Sequence, residues 1–254
     1  MTTRIAVTGA TGRMGREVIE AAGEDDRFEV AVAVSRSPGG AIAGVEVRDA
    51  ADLPALLADH DPDALVDFTG PESSVERVAA CAEAGVPAVV GTTGFTEEQL
   101  AALSEAAADV PVLRASNFSR GIAALRRAVR EAVVALPGYD VEVTETHHDG
   151  KRDAPSGTAL TILDDIEAER DDLEERTYGR EGDAPRSPGE VGVHARRAGD
   201  VAGEHEVLLA GEDNVLELTH RAGSRRVFAA GALDAAAWLA GREPGRYDFT
   251  EVLE

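Results

Sequence analysis

Up to about residue 118 the chain alternates short apolar runs with longer amphipathic ones. RIAV at 4–7, EVAVAV at 29–34, ALVDF at 64–68, PAVV at 87–90 and PVLR at 111–114 have the length and composition of buried strands. Residues 13–23, 72–84 and 97–108 place apolar side chains at helical spacing and are rich in alanine, the best helix former. Strand and helix in regular alternation predict a doubly wound α/β unit, a parallel sheet with helices on both faces.

After residue 118 the pattern changes. A helix is expected over 119–136, starting at Ser119 as a cap and stopped by Pro137 and Gly138. YDVEVTET at 139–146 then alternates in period two, a polar loop reaches Pro155, and a helix follows over 157–170. VGVHARR at 191–197, EHEVLLA at 204–210 and NVLELTH at 214–220 predict neighbouring strands of a half-exposed sheet, with 172–190 as an extended surface loop. An alanine-rich helix over 227–240 ends the pattern. The chain thus divides into a first domain of 1–118 with 227–254 and a second, α+β domain of 119–226 with an open mixed sheet.

The glycines give the first domain a chemical meaning. Strand 4–7 runs into Gly9-Ala10-Thr11-Gly12-Arg13-Met14-Gly15 and on into a helix. In that context Gly9 permits the turn, Gly12 lets backbone approach a pyrophosphate and Gly15 lets helix and strand pack closely, as in a Rossmann-like dinucleotide site. The spacing is G-x-x-G-x-x-G, a departure from the commoner G-x-G-x-x-G. Where the second strand ends, about 20 residues on, such sites commonly carry an acidic residue for the ribose 2′-hydroxyl. Here Ser35-Arg36 stands instead, a hydroxyl and a guanidinium that suit a 2′-phosphate, so NADPH is expected to be accepted, in preference to NADH. Gly91-Thr92-Thr93 and Ala115-Ser116-Asn117-Phe118 follow later strands, where doubly wound sheets bind their ligands.

Composition narrows the function classes. With 48 acidic against 25 basic residues the net charge is −23, which disfavours nucleic acid and anionic membranes as partners. Twenty-four of the basic residues are arginine and only Lys151 is lysine, while aromatics make up 4%. Such a surface suits molar salt, in which charges are screened over about 3 Å. Cys81 is the sole cysteine and falls on an apolar helix stripe, so a reducing compartment and core packing are expected. No export signal or apolar run approaching about 18 residues is present, which predicts a cytoplasmic location. His60, His194, His205 and His220 lack the spacing of a metal site, and no metal is expected.

Lys151 falls within His147-His148-Asp149-Gly150-Lys151, and Pro155-Ser156-Gly157-Thr158 then opens a helix. Two imidazoles, one ammonium and the helix-start N–H groups of Gly157-Thr158 suit an anionic substrate that must be both bound and protonated.

With these residues in view, GATGRMG, VDFT at 66–69, GTTGF at 91–95, SNFSRG at 116–121, HHDGKRDAPSGTAL at 147–160, RAGDVAGEHEV at 197–207 and THRAGSRRVFAAGAL at 219–233 together resemble the dihydrodipicolinate reductase family, in family order along nearly the whole chain. The resemblance implies His147 as proton donor and acceptor, Lys151 as a second proton donor that pairs with a substrate carboxylate, His148 as a substrate contact, and Gly157-Thr158 as the site of the other carboxylate. It implies cofactor contacts from Gly9, Ala10, Thr11, Gly12, Arg13 and Met14, from Gly91 to Thr93 and from Ala115 to Phe118, with NADPH or NADH as reductant. It further implies a dicarboxylate substrate, a place in lysine and diaminopimelate biosynthesis, and a homotetramer. Ser35, where many members carry an acidic residue, and a shorter loop around 37–45 depart from the pattern. Two rival readings are another nicotinamide enzyme, such as an amino-acid dehydrogenase acting on aspartate or a semialdehyde, and a non-catalytic NADP-sensing regulator.

Overall fold

The computed structural model describes residues 2–253, which divide into two compact units: the chain up to Ser119 together with the segment from Arg225 onward, and Arg120–Ser224. In chain order the elements of the first are β1 (Thr3–Thr8), α1 (Arg13–Gly23), β2 (Phe28–Ser35), β3 (Ala41–Ile42), β4 (Val45–Glu46), β5 (Arg48–Asp49), α2 (Leu53–His60), β6 (Ala64–Asp67), α3 (Pro71–Ala84), β7 (Ala88–Val90), α4 (Glu97–Ala106) and β8 (Pro111–Arg114). The second unit follows with α5 (Arg120–Ala135), β9 (Asp140–His147), α6 (Gly157–Glu169), β10 (Glu175–Tyr178), β11 (Glu190–Arg197), β12 (Glu204–Ala210) and β13 (Val215–Arg221). Helix α7 (Arg226–Leu239) and strand β14 (Gly245–Tyr247) complete the first unit.

The first unit is built on a parallel seven-stranded sheet in the order β14-β8-β7-β6-β1-β2-β5. Its central strands are buried on both faces, as continuous apolar runs require. Ala6, Val34, Leu65, Ala88 and Val90 pack with Leu53 and Leu57 of α2, Val78 and Cys81 of α3 and Leu103 of α4. The alternate residues Ile5, Val7, Val66 and Val89 are also fully buried, and α7 runs along β1, β6, β7 and β8 beside α1. Cys81 is part of this core, and burial, reinforced by Asp67, pushes its thiol far above the usual range, which fits packing and not reactivity. The strand order reverses between β1 and β6. The loops after these two strands therefore leave in opposite directions, opening the crevice in which such sheets bind ligands.

The second unit has a mixed five-stranded sheet, β10-β11-β9-β12-β13, with β11 parallel and β12 antiparallel to the central β9. Val141, Val143, Val191, Val193, Val207 and Leu209 line one face and pack on Ile122, Leu125, Val129 and Val133 of α5 and Ile162, Leu163 and Ile166 of α6. Between these helices Asp165 receives Arg126 Nε at 2.5 Å and Arg130 Nη2 at 2.7 Å.

Two expectations change here. The strands at 191–197 and 204–210 are not neighbours: β9 inserts between them, because its alternating valines match both partners in register. Within 172–190, Glu175–Tyr178 forms β10, parallel to β11, and Arg180 and Arg186 lie against Glu190 and Glu142. Most of the segment is nonetheless an exposed connector. Among the described residues no helix is long and apolar enough to cross a membrane.

Candidate active site

In the first unit, the end of β1 turns sharply at Gly9, whose φ of +64° favours glycine. The turn is closed by Gly12 N–H donating to Gly9 O at 2.8 Å, and Ala10 N–H donates to Val34 O at 3.0 Å, tying the loop to β2. Gly12 is the N-cap of α1, so the positive end of that helix faces the loop. A cleft of about 260 Å³ opens there, lined by Gly9, Thr11, Gly12, Ser35 and Arg36 among the expected residues and by Phe68, Thr69, Ser73 and Arg77 besides. Among the described residues its charged lining is two arginines and no carboxylate, in a chain of net charge −23.

Ser35 is buried, and its hydroxyl lies 2.6 Å from that of Thr11 while accepting from Ser37 N–H at 3.3 Å. It thus latches the glycine loop to the end of β2. Ala10 is fully buried, and Arg13 and Met14 sit on the first turn of α1 outside the cleft. Gly91-Thr92-Thr93 and Ala115-Ser116-Asn117-Phe118 lie outside it as well, at the ends of β7 and β8 along the same sheet edge. Ala115 and Phe118 are buried, the Phe118 ring packing edge-on against Phe68 and Phe249 at 5.7 and 5.2 Å.

The sequence reading missed the residue that organises this edge. Asp67, fully buried at the end of β6, accepts from Thr8 Oγ1 at 2.5 Å, Thr69 Oγ1 at 2.7 Å, Thr92 Oγ1 at 3.0 Å and Ser74 Oγ. One carboxylate thereby gathers the ends of β1 and β6, the start of α3 and the loop after β7. The Thr92 side chain is engaged inward by this bond and by Ser74 Oγ at 2.7 Å.

In the second unit, His147 ends β9, and its Nδ1 lies 2.6 Å from Oε2 of Glu145, two residues back on the same face. Glu145 is buried and is also bound by Arg197 from β11, Nη1 to Oε2 at 2.8 Å and Nη2 to Oε1 at 2.7 Å, and by Ser156 N–H at 3.1 Å. Burial opposes its charge, but the bonds from His147 and Arg197 outweigh this and hold the carboxyl down at about 2. Ser156 caps α6, its hydroxyl accepting from Ala159 N–H at 3.1 Å, so Gly157 and Thr158 are the first two residues of the helix. Lys151 Nζ pairs with Asp153 Oδ1 at 2.8 Å, and the Lys151 backbone N–H donates to His148 O at 3.1 Å. The loop therefore gathers His147, His148, Lys151 and the α6 N-terminus into one end of this unit.

His205, opposite Glu145 on β12, stands with its ring centroid 5.2 Å from that of His147, and its Nε2 lies 3.1 Å from Ser156 Oγ. Burial, aided by the nearby His147, presses its value down to about 3, so at neutral pH it is an uncharged wall of the site. Glu145 was not marked by sequence, although a carboxylate on the valine face of β9 is a visible signal, and His205 was weighed there only as a metal ligand. Among the described residues no group of three or more His, Cys, Asp or Glu is placed to hold a metal ion.

These shifts set an acid response. The unfolded chain takes a proton on His205 below its ordinary value of 6.5 while the folded chain resists until about 3, so stability falls with pH across that window. His220, lowered by burial, acts in the same sense, and Glu145 adds its loss between 4.5 and about 2. The denaturant midpoint of the second unit is expected to drop from pH 7 to pH 5, with a shallower drop in His205→Asn. A flat profile would refute the assigned neutral imidazole.

Comparison with known proteins agrees with both halves. The family described as "Dihydrodipicolinate reductase, N-terminus" matches residues 3–118, and "Dihydrodipicolinate reductase, C-terminus" matches 121–253. The 4-hydroxy-tetrahydrodipicolinate reductase of Natronomonas pharaonis is 55% identical over 98% of this chain and 99% of its own length. That of Haloarcula marismortui is 54% identical over 99% of each chain. Among solved structures, dipicolinate-bound dihydrodipicolinate reductase from Paenisporosarcina sp. TG-14 superposes with a TM-score of 0.79 at 25% identity, covering 99% of both chains. By sequence over its full length and by the architecture of its sheets, the chain belongs to the dihydrodipicolinate reductase family.

Proposed function

We propose that the chain catalyses the NAD(P)H-dependent reduction of 4-hydroxy-tetrahydrodipicolinate to tetrahydrodipicolinate, a step of lysine and diaminopimelate biosynthesis. The observation that carries this reading is the grouping of His147, His148, Lys151 and the start of α6 at one end of β9, in a chain matched throughout by reductases of that name. A dinucleotide fits the first unit on its own terms: a glycine turn, a helix N-terminus and a cleft lined by Arg36 and Arg77. When bound, the reduced nicotinamide supplies a hydride.

The remaining chemistry falls to protein groups. Overall one hydride and one proton enter and one water leaves: the carbon next to C4 gives up a proton as the C4–O bond breaks, a C4–H bond then forms, and the same adjacent carbon is protonated again. His147 carries protons to and from that carbon and the departing hydroxyl, Lys151 serves as a second donor and pairs with one substrate carboxylate, and His148 contacts the ring. The N–H groups of Gly157 and Thr158 hold the second carboxylate at the positive end of α6. Uncharged His205 adds no cationic competitor for that dianion. The first unit serves as the nucleotide-binding domain and Arg120–Ser224 as the substrate-binding and oligomerisation domain. A cytoplasmic homotetramer completes the reading, favoured by the single, buried cysteine and by β13, an edge strand whose Val215 is 59% exposed.

Coupling the chain to a source of the heterocycle in molar KCl and following nicotinamide absorbance tests the reading. Substrate-dependent oxidation of NADPH is the expected result, and its absence with both cofactors would overturn the assignment. Cofactor choice has its own test. Ser35→Asp places a carboxylate beside Arg36 at the end of β2, and the kcat/KM ratio of NADPH to NADH should fall by about tenfold or more. A parent enzyme strongly selective for NADH would refute the roles given to Ser35 and Arg36.

A further inference from the structure

We infer that Glu145 is a positioning residue for proton transfer, fixing His147 as its Nδ1–H tautomer and, through the same carboxylate, anchoring the N-cap of α6. The inference rests on the role given to His147 above and extends it to a residue outside the reacting groups.

The hydrogen-bond inventory dictates the tautomer. An ionised carboxylate only accepts, so the 2.6 Å contact between Glu145 Oε2 and His147 Nδ1 requires the proton on Nδ1. In the neutral ring Nε2 then bears the lone pair and becomes the atom that gains and loses a proton. Space beside Nε2 is kept by Gly203, where a Cβ would come within 3.1 Å of it. The titratable groups against the ring are Glu145 on its own strand and His205 from β12, with Arg197 from β11 bound to the far side of Glu145. Arg197 is oriented toward Glu145 and occupies both carboxylate oxygens, so it keeps that group ionised and does not displace the imidazole.

The second function of the carboxylate follows from its other oxygen. Glu145 Oε1 accepts from Ser156 N–H at 3.1 Å, and Ser156 is the residue whose hydroxyl caps α6. The imidazole and the helix terminus proposed to hold a substrate carboxylate are thus referred to one buried, rigidly held group. Errors in their separation would cost rate steeply, because proton donor and bound anion must meet the same ring. A carboxylate serving only to neutralise Arg197 would need neither contact.

The test reads the tautomer directly. In the full chain with ¹⁵N-labelled histidine, His147 is assigned by the signal lost in His147→Gln, and long-range ¹⁵N–¹H correlations show which ring nitrogen is protonated in the neutral form. The expected result is Nδ1–H in the parent. In Glu145→Gln the amide oxygen still accepts from Ser156, while its NH₂ group faces Nδ1, so the population should move toward Nε2–H. The kcat should fall by about 10- to 100-fold, with KM for the nucleotide changed by less than about twofold. An Nε2–H or evenly mixed tautomer in the parent overturns the inference, and that measurement stands even if the variant does not fold. Undiminished kcat in Glu145→Gln alongside a large loss in His147→Ala also overturns it, leaving the proposed chemistry in place. Undiminished kcat in both would instead remove His147 from the mechanism.

Discussion

Lys151→Ala is expected to lower turnover by about 10²-fold or more while NADPH binding changes by less than about twofold. The reason lies in how the structure holds this ammonium. Its resting partner is Asp153 at 2.8 Å, but the Asp153 side chain is 58% exposed, and ion pairs in contact with water are weak and easily exchanged. Burial opposes the charge of Asp153, and its bond to Lys151 still draws the carboxyl below the usual range, so the pairing is real but replaceable. A substrate carboxylate can therefore take the place of Asp153 without leaving a buried charge unpaired. Removing the amine deletes both that partner and a proton donor, whereas the nucleotide cleft belongs to a different unit and keeps its lining.

Lys151→Arg separates the two roles. A guanidinium preserves the charge but does not surrender a proton near neutral pH. It should restore substrate KM more than kcat. His147→Ala should match Lys151→Ala in the size of its effect on kcat. Near-normal turnover in Lys151→Ala would exclude the proton-donor role, and full kcat in Lys151→Arg would reduce it to charge pairing.

The parts of this molecule that were legible in sequence are those governed by neighbours along the chain. The glycine turn, the helix after it and the cap at Ser156 are local, and apolar runs buried on both faces announce β1, β2, β6, β7 and β8 whatever their order. What escaped depends on partners distant in sequence. Strand β5 is two exposed residues, defined only by pairing with Val34 and Ser35, and β10 is the polar run ERTY, a strand only because β11 lies alongside it. Likewise β9 has valines on one face, a pattern that states which side is buried but not which strands flank it.

The site divides in the same way. The residues that meet solvent chemistry, His147 and Lys151, were visible as unusual types crowded together. Asp67 and Glu145, which arrange them and the cofactor loops, were not, since each acquires its meaning from partners on other segments, Thr8, Ser74 and Thr92 for Asp67 and Ser156 and Arg197 for Glu145. A carboxylate interrupting a buried stripe was the available sign. Asp67 closes the apolar run ALVD, and Glu145 follows Val141 and Val143 in period two. Such an acid must be hydrogen-bonded or paired to be tolerated there, which makes it a marker of organised polar structure.

The other large effect is expected at Gly15, and it tests how the nucleotide turn is built. A Cβ at this position would lie 2.2 Å from Gly9 O, 2.8 Å from Gly9 C and 2.9 Å from Ala10 Cα. All three are backbone atoms, so no rotamer change relieves the overlap in Gly15→Ala, and α1 must shift away from the end of β1. That shift opens the turn that Gly12 N–H closes on Gly9 O and carries the helix N-terminus away from the cleft. Overpacking of this kind costs about 1–3 kcal/mol, and misplacing the N–H groups should weaken NADPH binding by about tenfold or more. Gly12→Ala provides the contrast, because its Cβ would meet only Gly9 O, at 3.0 Å, and α1 could stay in place. That variant should melt near the parental temperature and lose affinity only because a methyl group now stands where backbone approaches the ligand. Calorimetric melting and NADPH titration of the pair distinguish the two effects: if Gly15→Ala melts and binds like the parent, close contact between α1 and the Gly9 turn is not what shapes the site.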